Sequence, residues 1–184
     1  MHEVVVVGAG PAGSVAATVL AKQGRRVLLV DQAEFPRDKV CGDGIGWNSI
    51  RLLSELGLSL ESRISAFYSC GRARGISPSG YVYQGSFPQK DGHYQHGYVI
   101  PRKHFDHSLW EFALQQGAEF ERSRVTEPII ERGRVCGVRG MIDGKAVEHR
   151  ARITIAADGA NSVIARCLRP DEASARHYAV AMRA

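Results

Sequence analysis

With 184 residues, 44% hydrophobic and 23% charged, the chain is long enough for one domain with its own core and short for a two-domain enzyme, and its composition excludes disordered and collagen-like classes. No run approaches the ~20 apolar residues of a membrane-spanning helix. Met1-His2-Glu3 leads straight into Val4 without the basic segment or cleavage site of a secretory signal, so a cytoplasmic setting with no transmembrane segment is expected. The net charge of +5 comes without a basic run or a nucleic-acid-binding signature; no nucleic acid partner is expected, and an anionic cofactor or substrate explains the excess at least as well. Cys41, Cys70, Cys136 and Cys167 are too scattered for a zinc or disulfide pattern, so free thiols and no metal site are expected.

Val4–Val7 is a β-branched run without alternation, the pattern of a strand buried on both faces of a parallel sheet. Gly8-Ala9-Gly10-Pro11-Ala12-Gly13 follows, then small helix formers from Ala12 to Lys22, closed by Gly24 in a C-cap position. Arg26–Val30 reads as a second strand and ends at Asp31, eighteen residues beyond Gly13. In the order strand, glycine turn, helix, strand, acid, each part has a task. Gly8 allows the tight turn, Gly10 lets a pyrophosphate approach the backbone, and Gly13 lets the helix pack against the strand. The helix start holds the diphosphate, and the Asp31 carboxylate accepts both ribose hydroxyls. Dinucleotide binding is the expectation; the glycines alone do not separate FAD from NAD.

Residues 35–45 form a polar, glycine-punctuated loop ahead of a helix expected over Trp47–Leu56 and ended by Gly57. From Tyr68 to Ile100 the texture is that of β-hairpins, with Tyr81, Tyr83, Phe87, Tyr94 and Tyr98 either lining an apolar pocket or simply packing. Phe105, Leu109 and Phe112 recur at helical spacing up to Gly117 and read as core, with Arg102 just ahead of that helix. Val135–Ile142 and Lys145–Ile155 flank an Asp143-Gly144 hairpin turn. Asp158-Gly159 follows the apolar strand Ile153–Ala157 and sits where ligands bind in open α/β sheets, or else is a plain turn.

Four stretches together, G-A-G-P-A-G-S at the start, F-P-R-D-K-V-C-G-D-G-I from Phe35, P-R-K-H-F-D-H-S-L from Pro101 and A-D-G-A-N-S from Ala157, resemble the geranylgeranyl reductase family, a branch of the flavoproteins built like p-hydroxybenzoate hydroxylase. The resemblance spans nearly the whole chain, and four motifs in the expected order are far more specific than one. It implies an α/β fold with a Rossmann-like βαβ FAD-binding domain on a parallel central sheet, a small antiparallel β-meander, and the beginning of a β-rich substrate domain. Residues 1–70 and 100–178 would form the FAD-binding domain, with the meander at about 124–155; 71–99 would open the substrate domain and 179–184 a second, truncated segment of it.

The same resemblance assigns residues to FAD. Gly8, Gly10, Pro11, Ala12, Gly13, Asp31 and Gln32 would hold its ADP half, and Arg37, Lys39, Val40, Cys41 and Gly42 would lie along it, with Cys41-Gly42 near the isoalloxazine. Arg102 would reach the phosphate region, Val125 would border the cofactor, and Asp158-Gly159 would meet its ribityl and pyrophosphate part. Arg102 otherwise reads as a surface arginine. Cys41 is the candidate catalytic residue, a polarised thiol beside the flavin, or else a small packing residue.

The implied activity is hydride transfer from reduced flavin to an isoprenoid or similar apolar C=C bond, with NAD(P)H or a reduced redox protein as donor. Peripheral membrane contact by a longer protein is compatible with such a substrate. Two alternatives stand beside it. One is a monooxygenase or halogenase of the same fold, although neither Trp47 nor Trp110 sits in the W-x-W-x-I-P stretch of such halogenases. The other is an FAD-binding fragment without turnover, because the sequence stops two residues after an expected strand at Tyr178–Met182, where family members continue.

Overall fold

The computed structural model describes residues 2–87, 89–90, 93–94 and 96–169. The elements run β1 (His2–Val7), α1 (Pro11–Lys22), β2 (Val27–Asp31), β3 (Gly44–Ile45), α2 (Trp47–Glu55), α3 (Leu60–Arg63), β4 (Tyr68–Cys70), β5 (Arg72–Ile76) and β6 (Val82–Ser86). They continue with β7 (Gln89–Lys90), β8 (His93–Tyr94), β9 (Gly97–Val99), α4 (Arg102–Gln115), β10 (Glu119–Arg122), β11 (Arg124–Glu131), β12 (Arg134–Ile142), β13 (Lys145–Ala156) and α5 (Val163–Leu168). The strand expected at Tyr178–Met182, and with it the segment 179–184, lies outside the described residues.

Contacts group the chain into two units: one runs to Arg37 and resumes at Asp106, and the other is Asp38–Phe105. The sequence reading draws its boundaries instead at 70 and 100.

The first unit is built on a six-stranded sheet in the order β10-β2-β1-β13-β12-β11. β10, β2, β1 and the second half of β13 are parallel, with Val4–Val7 level with Val27–Val30 on one side and Ile153–Ala156 on the other. The first half of β13 pairs antiparallel with β12, which pairs with β11, so one long strand belongs both to the parallel core and to the meander. The valine run has no alternation because both of its faces are covered. Val4, Val6 and Leu29 pack with Ala17 and Ala21 of α1 and with Ala113 and Ala118, while Val5, Val7, Leu28 and Val30 pack with Val138, Ala151 and Ile164. Phe105, Leu109 and Phe112 are buried, as their spacing predicts. Asp143 (φ 48°) and Gly144 (φ 78°) make the β12–β13 hairpin turn, both left-handed as a tight I′-type turn requires.

The second unit holds the three-stranded sheet β3-β9-β4, the hairpin β5-β6 and helices α2 and α3. Ile50, Leu53, Leu58, Leu60, Ile64, Tyr98 and Ile100 are buried in it, whereas Tyr81 and Tyr83 stand exposed on the hairpin. Gly57, at φ 87°, follows α2.

Candidate functional site

The carboxyl ends of β1, β2 and β13 converge on the glycine turn. Gly8 donates its N–H to the Val30 carbonyl at 2.7 Å, and Ala157 donates to the Val7 carbonyl at 2.7 Å, so the glycine turn and the Asp158 turn are both stitched to the sheet edge. Gly8 has φ +96°, and a Cβ there would lie 2.4 Å from the Ala157 oxygen and 2.8 Å from Asp158 Cα. Gly13 is as tightly constrained: its Cβ would fall 1.7 Å from the Gly8 carbonyl oxygen. Glycine at 13 therefore serves helix-to-strand approach, as its position in the motif predicts.

Gly10 differs. Its backbone is extended (φ −70°, ψ −175°), which any residue adopts, and its Cβ position meets only Arg37 Nη2, at 3.6 Å. It is the N-cap of α1, where no side chain caps the helix and Pro11 takes the first turn. The helix start is thus a set of amide donors that no side chain fills.

Asp31 is half-buried and already engaged: Oδ2 accepts the Ala9 N–H at 2.7 Å and Oδ1 the Ala33 N–H at 2.8 Å. The acid braces the glycine turn while retaining lone pairs on both oxygens. Asp158 Oδ2 accepts the Val163 N–H at 2.7 Å, and Ser162 Oγ accepts the Ala165 N–H at 3.0 Å, so the A-D-G-A-N-S stretch starts α5. Asp158 Oδ1 is buried and without a hydrogen-bond partner among the described residues.

A cleft of about 420 Å³ opens here. Gly8, Asp31, Gln32, Val125 and Asp158, five of the residues assigned from sequence, line it together. Ser123, Arg124, Thr126, Asn161 and Arg166 also line it, and sequence reading missed all five as site residues. Asn161 lies within the A-D-G-A-N-S stretch; the others carry no local signal. Pro11, half-buried, and Ala12, exposed, occupy the first turn of α1, and Gly159 has φ +83°. Arg37 belongs to the same unit and pairs with Asp106, with Nη1 2.6 Å from Oδ2.

A diphosphate-bridged nucleotide fits the cleft and the glycine turn that borders it: Gly8 lines the cleft, Gly10 two residues on leaves open space at an uncapped helix start, and the unpartnered Asp158 oxygen is one for which a ligand hydroxyl is a chemically suitable donor. Among the described residues, no group of three or more His, Cys, Asp and Glu side chains is placed to hold a metal ion.

Lys39, Val40, Cys41, Gly42 and Arg102 fall in the second unit. Lys39, Val40 and Gly42 are exposed and Cys41 half-buried. Arg102 is the first residue of α4, within its first turn and not ahead of it, and its guanidinium lies against the Cys41 thiol. The Asp43 backbone N–H, and then the Arg102 guanidinium, hold that thiol below its ordinary range.

The same unit has a cavity of about 310 Å³ lined by Trp47, Ile50, Leu58, Leu60, Glu61, His96 and Tyr98 among others. Of the aromatics considered as pocket lining, Tyr98 is there, and its hydroxyl donates to Glu61 and lies 3.1 Å from His96 Nε2. Burial and the Glu61 carboxylate push Tyr98 up to about 12, while the Tyr98 hydroxyl holds Glu61 below the usual carboxylate range. Phe87 is half-buried, and the side chain of Tyr94 is outside the described residues.

Residues 1–182 match the family described as FAD binding domain. Among curated relatives, the chain is 37% identical over 170 residues to digeranylgeranylglycerophospholipid reductase 1 of Methanococcoides burtonii, covering 90% of this chain and 39% of that protein. Among solved structures, it is similar to a geranylgeranyl bacteriochlorophyll reductase-like protein of Thermoplasma acidophilum (30% identity, TM-score 0.73, covering 86% of this chain and 39% of that one). It is also similar to the myxobacterial chondrochloren halogenase CndH (27% identity, TM-score 0.74, covering 83% and 36%). The chain spans about two fifths of the length of the curated reductases it matches. No helix among the described residues is long and apolar enough to cross a membrane.

Proposed function

The chain belongs to the FAD binding domain family, and from that premise we propose that it is the cofactor-holding part of an FAD-dependent reductase that saturates an isoprenoid or related apolar carbon–carbon double bond. The observation that carries this reading is the glycine turn at the sheet edge: Gly8 lines a cleft with Asp31 and Asp158, whose Oδ1 has no partner among the described residues, and Gly10, two residues on, precedes a helix start that no side chain fills. The relatives named for digeranylgeranylglycerophospholipid and geranylgeranyl reduction support the substrate class.

In this reading the amides opening α1 bind the diphosphate, Asp31 accepts the adenosine ribose hydroxyls, and Asp158 with Gly159 receives the ribityl part. Gln32 and Val125 border the nucleotide, and Pro11 and Ala12 shape the turn. Arg37 and, on the resemblance, Lys39, Val40, Cys41, Gly42 and Arg102 complete the set. When bound, reduced FAD supplies the hydride; the chain's share is binding, orientation and exclusion of water. Cys41 Sγ is the proposed catalytic atom. A thiol more acidic than the free side chain surrenders its proton more readily to a developing carbanion, and the neighbouring Arg102 stabilises the thiolate left behind.

The electron donor in this proposal is NAD(P)H or a small reduced redox protein. Four free cysteines support a reducing, cytoplasmic setting, and an isoprenoid substrate would bring a longer protein to the membrane surface.

The likeness to a halogenase keeps a second reading, a monooxygenase or halogenase. Oxygen consumption coupled to product formation separates the two, since a reductase leaves no oxygen atom in its product. A third reading is cofactor binding without turnover. The visible spectrum of the purified chain tests the premise itself: bound oxidised flavin colours the protein, and a chain that stays colourless and does not bind added FAD refutes the proposal.

A further inference from the structure

We propose that Asp106 is a positioning residue for the cofactor's diphosphate, acting through Arg37; this rests on the FAD reading and deepens it. Asp106 is completely buried. A carboxylate with no exposure stays charged only where a cation and hydrogen bonds offset its lost hydration, and the Arg37 guanidinium, 2.6 Å away, is a cation in contact with it.

What makes the pair more than a structural tie is where the rest of the guanidinium lies. While Nη1 faces Asp106, Nη2 lies 3.6 Å from the place a Cβ would occupy on Gly10, directly beside the start of α1. Nη1 is itself buried and makes no aligned hydrogen bond among the described residues, so the contact with Asp106 is one of charge. The guanidinium is held on a third side by an aromatic column. Its Cζ sits 5.3 Å from the centre of the Phe35 ring. Phe35 in turn stacks on Trp110 at 5.3 Å and meets Phe120 edge-on at 6.2 Å.

An arginine fixed by a buried carboxylate below and a packed ring beside it is ordered before any ligand arrives, which removes its ordering cost from binding. The ligand chemistry that matches a preordered guanidinium next to uncapped helix amides is a phosphate or diphosphate. Asp106 touches none of it, and its influence runs through the atom it holds.

A competing role is available. The chain leaves the first unit at Arg37 and returns to it at Asp106, so the pair also ties the two crossings together. A tie of that kind alone would change stability and leave nucleotide discrimination untouched.

The experiment uses the 184-residue chain with D106N, R37M and the double variant. Dissociation constants for FAD and ADP are measured by calorimetry, that for adenosine by ligand-observed NMR, and thermal melts on the same samples. D106N is expected to weaken FAD and ADP by tenfold or more with adenosine changed less than twofold. R37M is expected to do the same, and the double variant to be no weaker than R37M. ADP binding by D106N within twofold of wild type overturns the proposal, as does an equal loss for adenosine, or a D106N loss that adds fully to that of R37M. If D106N does not fold, D106E, which keeps the charge and displaces the carboxylate that faces Arg37, decides: ADP binding within twofold of wild type overturns the proposal, and selective loss of ADP over adenosine supports it. A wild-type chain that binds neither FAD nor ADP refutes the cofactor reading and takes the role of Asp106 with it.

Discussion

Replacing Gly10 by alanine separates folding from binding more cleanly than any other change in this chain. The backbone there is extended and admits any side chain, and the new methyl would make one ordinary contact, 3.6 Å to Arg37 Nη2. No strain is created, and restricting the unfolded chain stabilises the variant by about 0.4–1 kcal/mol. At roughly 2–4 °C per kcal/mol for a chain of this size, the melting point should hold or rise by a few degrees. The same methyl occupies the space through which a diphosphate approaches the backbone, and forcing one carbon into a filled site costs about 1–3 kcal/mol, or roughly five- to 150-fold in affinity. Gly13→Ala is the opposite case. Alanine gains about 1 kcal/mol of helix propensity over glycine, but its Cβ would sit 1.7 Å from the Gly8 oxygen and 2.9 Å from the Gly8 carbonyl carbon, backbone atoms that cannot swing aside. The overpacking cost exceeds the gain, and G13A should fail to fold. The assay is a flavin fluorescence titration alongside a thermal melt. A G10A protein that melts like wild type and binds FAD within twofold of it would refute the placement of a diphosphate over Gly10.

Asp31→Ala removes two charge-assisted bonds to backbone amides, each worth about 1.5–3 kcal/mol when well buried and less at this half-buried site; the melting point should fall by several degrees as FAD binding is lost, and an unchanged melt would contradict the bracing role. Cys41 should be alkylated by iodoacetamide with a midpoint below that of a free thiol, because Asp43 N–H and Arg102 favour the thiolate; peptide-resolved mass spectrometry against pH should show that midpoint move upward in R102M, and no movement would remove Arg102 from the account. Tyr98 should ionise late, at about 12. Its raised pKa contributes stability that is complete below about 10, the ordinary tyrosine value, and is lost as pH climbs toward 12, whereas the lowered pKa of Glu61 contributes above the ordinary carboxylate range and is lost on acidification. Ultraviolet titration of wild type against Y98F should show the late step vanish; a tyrosine titration complete by pH 11 would contradict it.

What sequence reading recovered was local in origin. The unbroken Val4–Val7 run reports burial on both faces, and the structure covers both. Asp143-Gly144 encodes its own left-handed turn. The spacing of Phe105, Leu109 and Phe112 is the helix's own period. What it did not recover depends on residues far apart in the chain. Nothing near Arg37 announces that a carboxylate sixty-nine positions on will meet it. The double pairing of β13 needs the register of β1 as well as β12. Ser123, Arg124 and Arg166 enter the cleft because β11 begins there and α5 lies along it, which no short pattern states. In 68–98 the pattern gives strands without saying which face meets water: Tyr98 is buried while Tyr81 and Tyr83 are exposed.

The motif residues also differ in how much they say about a ligand. Gly8 and Gly13 are required by the fold itself, since a Cβ at either would strike backbone. Asp31 braces the glycine turn, and one oxygen of Asp158 starts α5. A chain that bound nothing would still need all four. The fold requires neither a glycine at position 10, where alanine fits, nor an uncapped first turn on α1, nor a buried Asp158 oxygen left without a hydrogen bond. Each of these costs stability or conformational freedom that the isolated chain does not recover. They face the same sheet edge, and a phosphate-bearing ligand with a free hydroxyl is the kind of molecule that would offset all three at once. That is why G10A, and not a change at Asp31 or Gly13, decides whether the glycine turn is there for a cofactor or for the fold.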